Sequence, residues 1–140
     1  MQIQNLIGGE LCSPHSGEFL PNYSPTNGQI YSQVPNSCGK DVDRAVKAAK
    51  KAFPEWSSFS PEKRVGYMLK LADLIERDQE KLARAESFDQ GKPLWLAQTV
   101  DIPRGSSNLR YFAHQVMSQK SVAFTDVNHR VEYIHRPPIG

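Results

Sequence analysis

Apolar residues recur at three- and four-residue steps through the middle of this chain and at two-residue steps near both ends. The helical pattern is sharpest from Ser60 to Leu94. Val65, Met68, Leu69, Ala72 and Ile75 form one stripe, broadened by Leu71 and Leu74. Lys63, Arg64, Lys70, Asp73, Glu76 and Arg77 occupy the other face, which predicts an amphipathic helix buried along the stripe. Ser60 is placed to cap it, and Pro61 stands at the first helical position, where its missing amide hydrogen costs nothing. Asp78 reads as the cap of a second helix carrying Leu82, Ala83, Glu86 and Phe88. Gly91 supplies that helix's left-handed stop, and Pro93 forbids simple continuation.

Upstream, residues 5–11 read as a strand, a Gly8-Gly9 turn and a return strand, and residues 19–23 and 30–34 as a second pair around Asn27-Gly28. From Asp41, the positions Val42, Ala45, Val46, Ala49 and Phe53 predict a buried helical stripe that Pro54 ends, with Trp56 and Phe59 anchoring a linker into Ser60. Downstream, residues 93–100 predict a short helix. Asp101-Ile102-Pro103 predicts a break in which Asp101 caps a further helix from 103 to about 117, with Leu109, Phe112, Ala113 and Val116 on one face. Residues 122–125 and 131–136 are strand-like about the polar turn Asp126-Val127-Asn128-His129. An isolated hairpin of this kind is marginal in water.

Composition narrows the class. At 140 residues, with 39% hydrophobic and 23% charged positions, the chain suits one ordinary soluble domain. Its 17 basic and 15 acidic residues leave only +2 and form no dense basic cluster, which argues against a nucleic-acid partner. No apolar run approaches the ~20 residues that span a bilayer, and the start MQIQN has no signal-peptide core, so no membrane and a cytoplasmic home are expected. Cys12 and Cys38 lie in different loop contexts. They are capable of pairing, but in a reducing compartment they are expected to be free thiols.

The residues themselves supply little chemistry. His15, His114, His129 and His135 share no metal-ligand spacing, and neither cysteine has neighbours that would activate it. Gly8-Gly9 and Gly39 lack a dinucleotide or phosphate-loop spacing and read as turns, while Glu86 and Asp89 read as part of a solvated helical face. On these grounds alone a non-enzymatic helical interaction module, or a small structural subunit, is an open reading.

Seven short elements in fixed order change that. They are Leu6-Ile7-Gly8-Gly9-Glu10; Tyr23-Ser24-Pro25-Thr26-Asn27-Gly28 before Val34-Pro35; Asp41-Val42-Asp43-Arg44-Ala45-Val46 leading to Ala52-Phe53 and Trp56; the Arg64 helix; Glu86-Ser87 through Gly91-Lys92-Pro93; Arg110-Tyr111-Phe112-Ala113; and Arg136-Pro137-Pro138-Ile139-Gly140. Together they resemble the amino-terminal region of the NAD(P)-dependent aldehyde dehydrogenase superfamily. Asp89-Gln90-Gly91-Lys92, Asp101-Ile102-Pro103-Arg104 and Val34-Pro35-Asn36-Ser37 further resemble its 2-hydroxymuconic and 2-aminomuconic semialdehyde branch.

The resemblance implies an α/β fold of short β-hairpins, then amphipathic helices, then a β arm, truncated before the nucleotide-binding sheet. Residues 1–120 would cover the cofactor-binding domain and 121–140 would begin the oligomerisation arm of a homodimer or homotetramer. The parent would oxidise an aldehyde with NAD, or NADP, by attack of a cysteine thiolate, hydride transfer and thioester hydrolysis. In the family those catalytic groups lie downstream of the R-x-P-x-G element, so this chain alone is expected to be inactive and to hold no cofactor. A structural monovalent cation is also implied, at positions matching the main-chain oxygens of Asn22 and Tyr23 and the side chain of Asp101, in competition with Asp101 as a helix cap.

Overall fold

The computed structural model describes residues 1–119, 122–134 and 136–139. Near the amino terminus, β1 (Asn5–Ile7) and β2 (Glu10–Cys12) pair antiparallel with Asn5 opposite Cys12. Gly8 and Gly9 join them at φ 64° and 87°, two successive positive values that match the right-handed twist of a tight hairpin. A second pair, β3 (Phe19–Tyr23) and β4 (Ile30–Pro35), is registered Leu20 to Val34 and Asn22 to Ser32, with an irregularity between Asn22 and Tyr23. Gly28, at φ 70°, closes the intervening turn, its amide donating to the Ser24 carbonyl at 2.8 Å. Both pairs stand where the alternation placed them.

The first helix, α1 (Gly39–Ser58), departs from expectation twice. It continues through Pro54, and Trp56 lies inside it instead of in a linker. One lost amide bond is outweighed by contacts beyond it. Ser57 and Ser58 hydroxyls donate to the Pro54 and Glu55 carbonyls, and the Trp56, Phe59 and Tyr67 rings pack together at separations of 5.9 to 6.2 Å. Its apolar stripe is also not buried: Val42 and Val46 are 58% and 45% exposed. What lies along this helix is the small β1–β2 hairpin, which approaches at Gly8, where an added Cβ would stand 3.7 Å from Ala48 Cβ. A two-stranded hairpin cannot cover the whole stripe.

Next come α2 (Pro61–Arg77) and α3 (Gln79–Gln90). The Ser60 hydroxyl accepts the Lys63 amide at 3.3 Å, as the cap reading requires. Asp78 makes no capping bond, because Arg77 holds its carboxylate at 2.7 and 2.9 Å. Gly91 ends α3 at φ 69°. Beyond it α4 (Leu94–Leu96), a π-helical turn (Ala97–Asp101) and α5 (Ile102–Ser118) form one uninterrupted run. The break expected at Asp101 is therefore absent. Asp101 has helical angles (φ −68°, ψ −53°) and no capping bond, and the Ile102 amide reaches back to the Ala97 carbonyl. A wide turn of this kind lets the helix pass into Pro103, which sits in the first turn of α5 where its missing amide is least costly.

The helices meet through small residues. Val65 and Ala72 of α2, Ala83 of α3, Ala97 of the π turn and Ala113 of α5 are the buried apolar positions among the described residues, and Ser106 of α5 is buried with them. α2 packs along α5, and Arg110 crosses between them to Asp73 at 2.6 Å and Glu76 at 2.7 Å. Because that contact runs along the Ser106, Arg110 and Ala113 side of α5, Phe112 and Val116 point away and stay 57% and 39% exposed. Leu71 of α2 is likewise half out. The predicted stripes were therefore too wide at their margins.

At the carboxyl side, β5 (Ala123–Thr125) and β6 (Val131–Tyr133) pair about a turn in which His129 takes φ 60°. The strand expected to reach residue 136 is shorter, and its His135 lies outside the described residues, as does Gly140 of the closing motif. The whole is the mixed arrangement of small antiparallel ladders and amphipathic helices anticipated for the α/β class.

Candidate functional site: the junction at Gly91

The most organised polar region lies where α3 ends. Its left-handed last residue turns the chain against the β3–β4 turn so closely that a Cβ on Gly91 would stand 2.8 Å from Pro25 Cγ. The Ser87 hydroxyl donates to the Lys92 carbonyl at 2.7 Å and fixes the exit. Lys92 then reaches back over the helix end, its ammonium 2.7 Å from Glu86 Oε1 and 2.9 Å from Asp101 Oδ2. Glu86 first, then Asp101, holds the Lys92 pKa above its ordinary value.

On the neighbouring turn of α3, Asp89 accepts the Tyr31 hydroxyl from β4 and the Asn22 side-chain amide from β3, the latter at 3.2 Å. The Tyr31 hydroxyl, with the Asn22 amide after it, keeps the Asp89 carboxyl below its usual range. The same carboxylate pushes the Tyr31 phenol up. Asn22 also donates to Tyr31 Oη at 2.9 Å and Ser32 Oγ at 3.1 Å, and the Tyr31 ring stands edge-on to Phe88 at 4.8 Å.

The residues implied for a cation are thus placed around one junction but are not joined to each other. Asn22 presents its amide hydrogens, not its oxygen, to the Tyr31, Ser32 and Asp89 cluster. Asp101 meets Lys92 instead. The one carboxylate in the set has its Oδ2 on the Lys92 ammonium. A cation at this place would draw on it together with the main-chain oxygens of Asn22 and Tyr23. Among the described residues no group of three histidine, cysteine or acidic side chains is arranged to hold a metal.

Nothing along the sequence marks Tyr31, Asp89 or Lys92 as functional, and Glu86 and Asp89 read there as a plain solvated face. The Glu86 to Lys92 pair spans a helix end, beyond the three- and four-residue spacings by which a helical ion pair is recognised. Tyr31 and Asp89 meet only in three dimensions.

A second polar centre sits at the start of α1. The Asp41 carboxylate, 2% exposed, accepts the His15 amide at 2.9 and 3.1 Å and the Cys38 amide at 2.9 Å. The Cys38 amide foremost, with His15 after it, holds its pKa below the carboxylate range. His15 Nε2 lies 3.1 Å from Lys40 Nζ. Cys38 is the residue preceding α1 and Cys12 the last of β2; both are half-buried free thiols. Both polar centres tie loops to helix ends. Neither pairs a nucleophile with a general base.

Comparison with known proteins gives the family. The family model described as "Aldehyde dehydrogenase family" matches residues 12–140. The chain is 42% identical over 142 residues to 2-aminomuconic semialdehyde dehydrogenase of Bos taurus, covering 100% of this chain and 28% of that protein. It superposes on an apo indole-3-acetaldehyde dehydrogenase with a TM-score of 0.92 at 31% identity, covering 99% of this chain and 32% of the other. On PnpE in complex with nicotinamide adenine dinucleotide the TM-score is 0.85 at 34% identity, over 91% and 26% of the two chains. The chain thus spans under a third of the length of the proteins it matches. With the family model covering nearly all of it and a solved fold of that family following 99% of its length, the chain belongs to the aldehyde dehydrogenase family.

Proposed function

We propose that these residues are the amino-terminal scaffold of an NAD-dependent enzyme that oxidises a muconic-type semialdehyde to the corresponding acid. The observation that carries this reading is the 42% identity, extending over the entire chain, to 2-aminomuconic semialdehyde dehydrogenase. The NAD complex of PnpE among similar folds supports NAD as the oxidant, with NADP the alternative to be measured. When bound, the dinucleotide supplies the hydride acceptor. These residues contribute position: Gly91 and Asp89 hold α3 against the β3–β4 pair, Lys92 ties the end of α3 to the π turn, and Arg110 locks α2 to α5. Residues 1–120 cover the cofactor-binding domain in this reading, and 121–140 begin the arm through which subunits associate as a homodimer or homotetramer.

The test uses the whole reading frame that contains this chain. NADH and NADPH formation would be followed with 2-aminomuconic and 2-hydroxymuconic semialdehydes beside acetaldehyde and a long-chain aldehyde. The highest kcat/KM is expected for a muconic semialdehyde with NAD. A preference for the simple aliphatic aldehydes, or oxidation of none, overturns the substrate reading. The 140-residue chain alone is expected to turn over nothing. NAD-dependent turnover by it that is abolished on alkylating Cys12 or Cys38 would overturn the scaffold assignment.

A further inference from the structure

We infer that Cys12 and Cys38 form a redox-sensitive pair that clips the β1–β2 hairpin to the start of α1. Two separate ties bring their segments together, one through Asn5 and one through Asp41. Cys12 is paired across the hairpin with Asn5. Both are half-buried, while Leu6 and Leu11 are 69% and 67% exposed, so the Asn5 and Cys12 face is the inward one. Asn5 exchanges two side-chain hydrogen bonds with Ser37, at 2.9 and 3.1 Å, and Ser37 immediately precedes Cys38. Just past Cys12, the His15 amide and the Cys38 amide share the buried carboxylate of Asp41. The segments carrying the two thiols are thus fastened to each other on both sides of the sulfurs. The hairpin also lies beside α1, close enough that a Cβ added at Gly8 would stand 3.7 Å from Ala48 Cβ.

A bridge needs short reach and little backbone movement, and the two segments that carry these half-buried thiols are tied to one another on either side of them. The oxidant is a low-molecular-weight disulfide such as oxidised glutathione. One protein thiolate attacks it, releasing one glutathione thiol and leaving a mixed disulfide. The second protein thiol then attacks the protein-bound sulfur, releasing the second glutathione. Two electrons pass from the cysteines to the oxidant, and their two protons end on the two glutathione thiols. The closed loop contains both β3 and β4, so oxidation restrains the unfolded chain and raises stability.

The test is made on the full chain, fully reduced and then equilibrated with oxidised glutathione under native conditions. Peptide mass mapping without reductant is expected to return one peptide linking Cys12 to Cys38. The melting midpoint is expected to rise on oxidation and return on addition of dithiothreitol, with no such change in Cys12→Ser or Cys38→Ser. The mass map of the unsubstituted chain decides the matter even if a variant folds poorly. Both thiols still free under excess oxidant, glutathione retained on each cysteine, bridges only between chains, or a bridge that forms only in urea would each overturn the inference.

Discussion

Replacing Gly91 with alanine tests the junction most directly, because two separable costs fall on one methyl group. Gly91 holds φ 69° at the end of α3, a conformation in which a side chain costs about 1–2 kcal/mol. The same methyl would stand 2.8 Å from Pro25 Cγ and 3.2 Å from Pro25 Cβ, inside contact distance of a rigid ring that has no rotamer by which to withdraw. Overpacking of this kind adds roughly 1–3 kcal/mol. Gly28 is the internal control: it has φ 70° in the same neighbourhood, and an added Cβ there meets nothing within 4 Å. Gly28→Ala is expected to show the conformational cost alone, and Gly91→Ala that cost plus the contact. Urea unfolding followed by circular dichroism measures both. The gap between the variants should be about 1 kcal/mol or more, and it should narrow when Pro25→Ala, which removes Cγ but keeps Cβ, is combined with Gly91→Ala. Equal losses at the two glycines, or no recovery in the double variant, would refute the close approach of α3 to the β3–β4 turn.

Asp41 gives a pH signature. Its folded pKa is depressed by the Cys38 and His15 amides, so the stability it contributes is present above its unfolded pKa of ~3.9 and is lost as pH falls through the folded value. Asp41→Asn is expected to lower the melting midpoint at neutral pH and to flatten its decline below about pH 4; an unchanged acid slope would count against the reading. Asp101→Asn removes one of Lys92's two carboxylate partners, so its loss of melting temperature should be the same in choline, sodium and potassium chloride. A loss confined to sodium or potassium would establish a cation at Asn22, Tyr23 and Asp101. Arg110→Met should uncouple α2 from α5, and the deficit should shrink at high salt because the guanidinium and its carboxylates are partly exposed. In the β5–β6 hairpin, hydrogen exchange at β6 should be fast or should slow with rising protein concentration, whereas α2 stays protected throughout. Strong protection of β6 at every concentration would mean the hairpin is stable unaided.

The sequence by itself determined the order and type of nearly every element. Tight turns and helix ends are local events: Gly8-Gly9, Gly28, the Ser60-Pro61 start and the Gly91 stop each need only one or two residues of the right conformational preference. The family, too, was legible from seven short motifs in order. The tertiary structure alone decided which face of each helix is covered, because periodicity marks an apolar stripe without saying how broad its partner is. Thus Val42, Val46, Phe112 and Leu71 lie outside the contacts that bury Ala72 and Ala113. It also decided whether a proline or an aspartate interrupts a helix. Pro54 is carried by the packing of Trp56, Phe59 and Tyr67, and the Asp101 to Pro103 stretch is carried by a π turn. Finally, it alone assembled the Lys92, Asp101 and Glu86 set and the Tyr31, Asp89 and Asn22 set. Their members lie on different elements, and no spacing along the chain encodes a contact that forms only when a helix end is pressed against a distant turn.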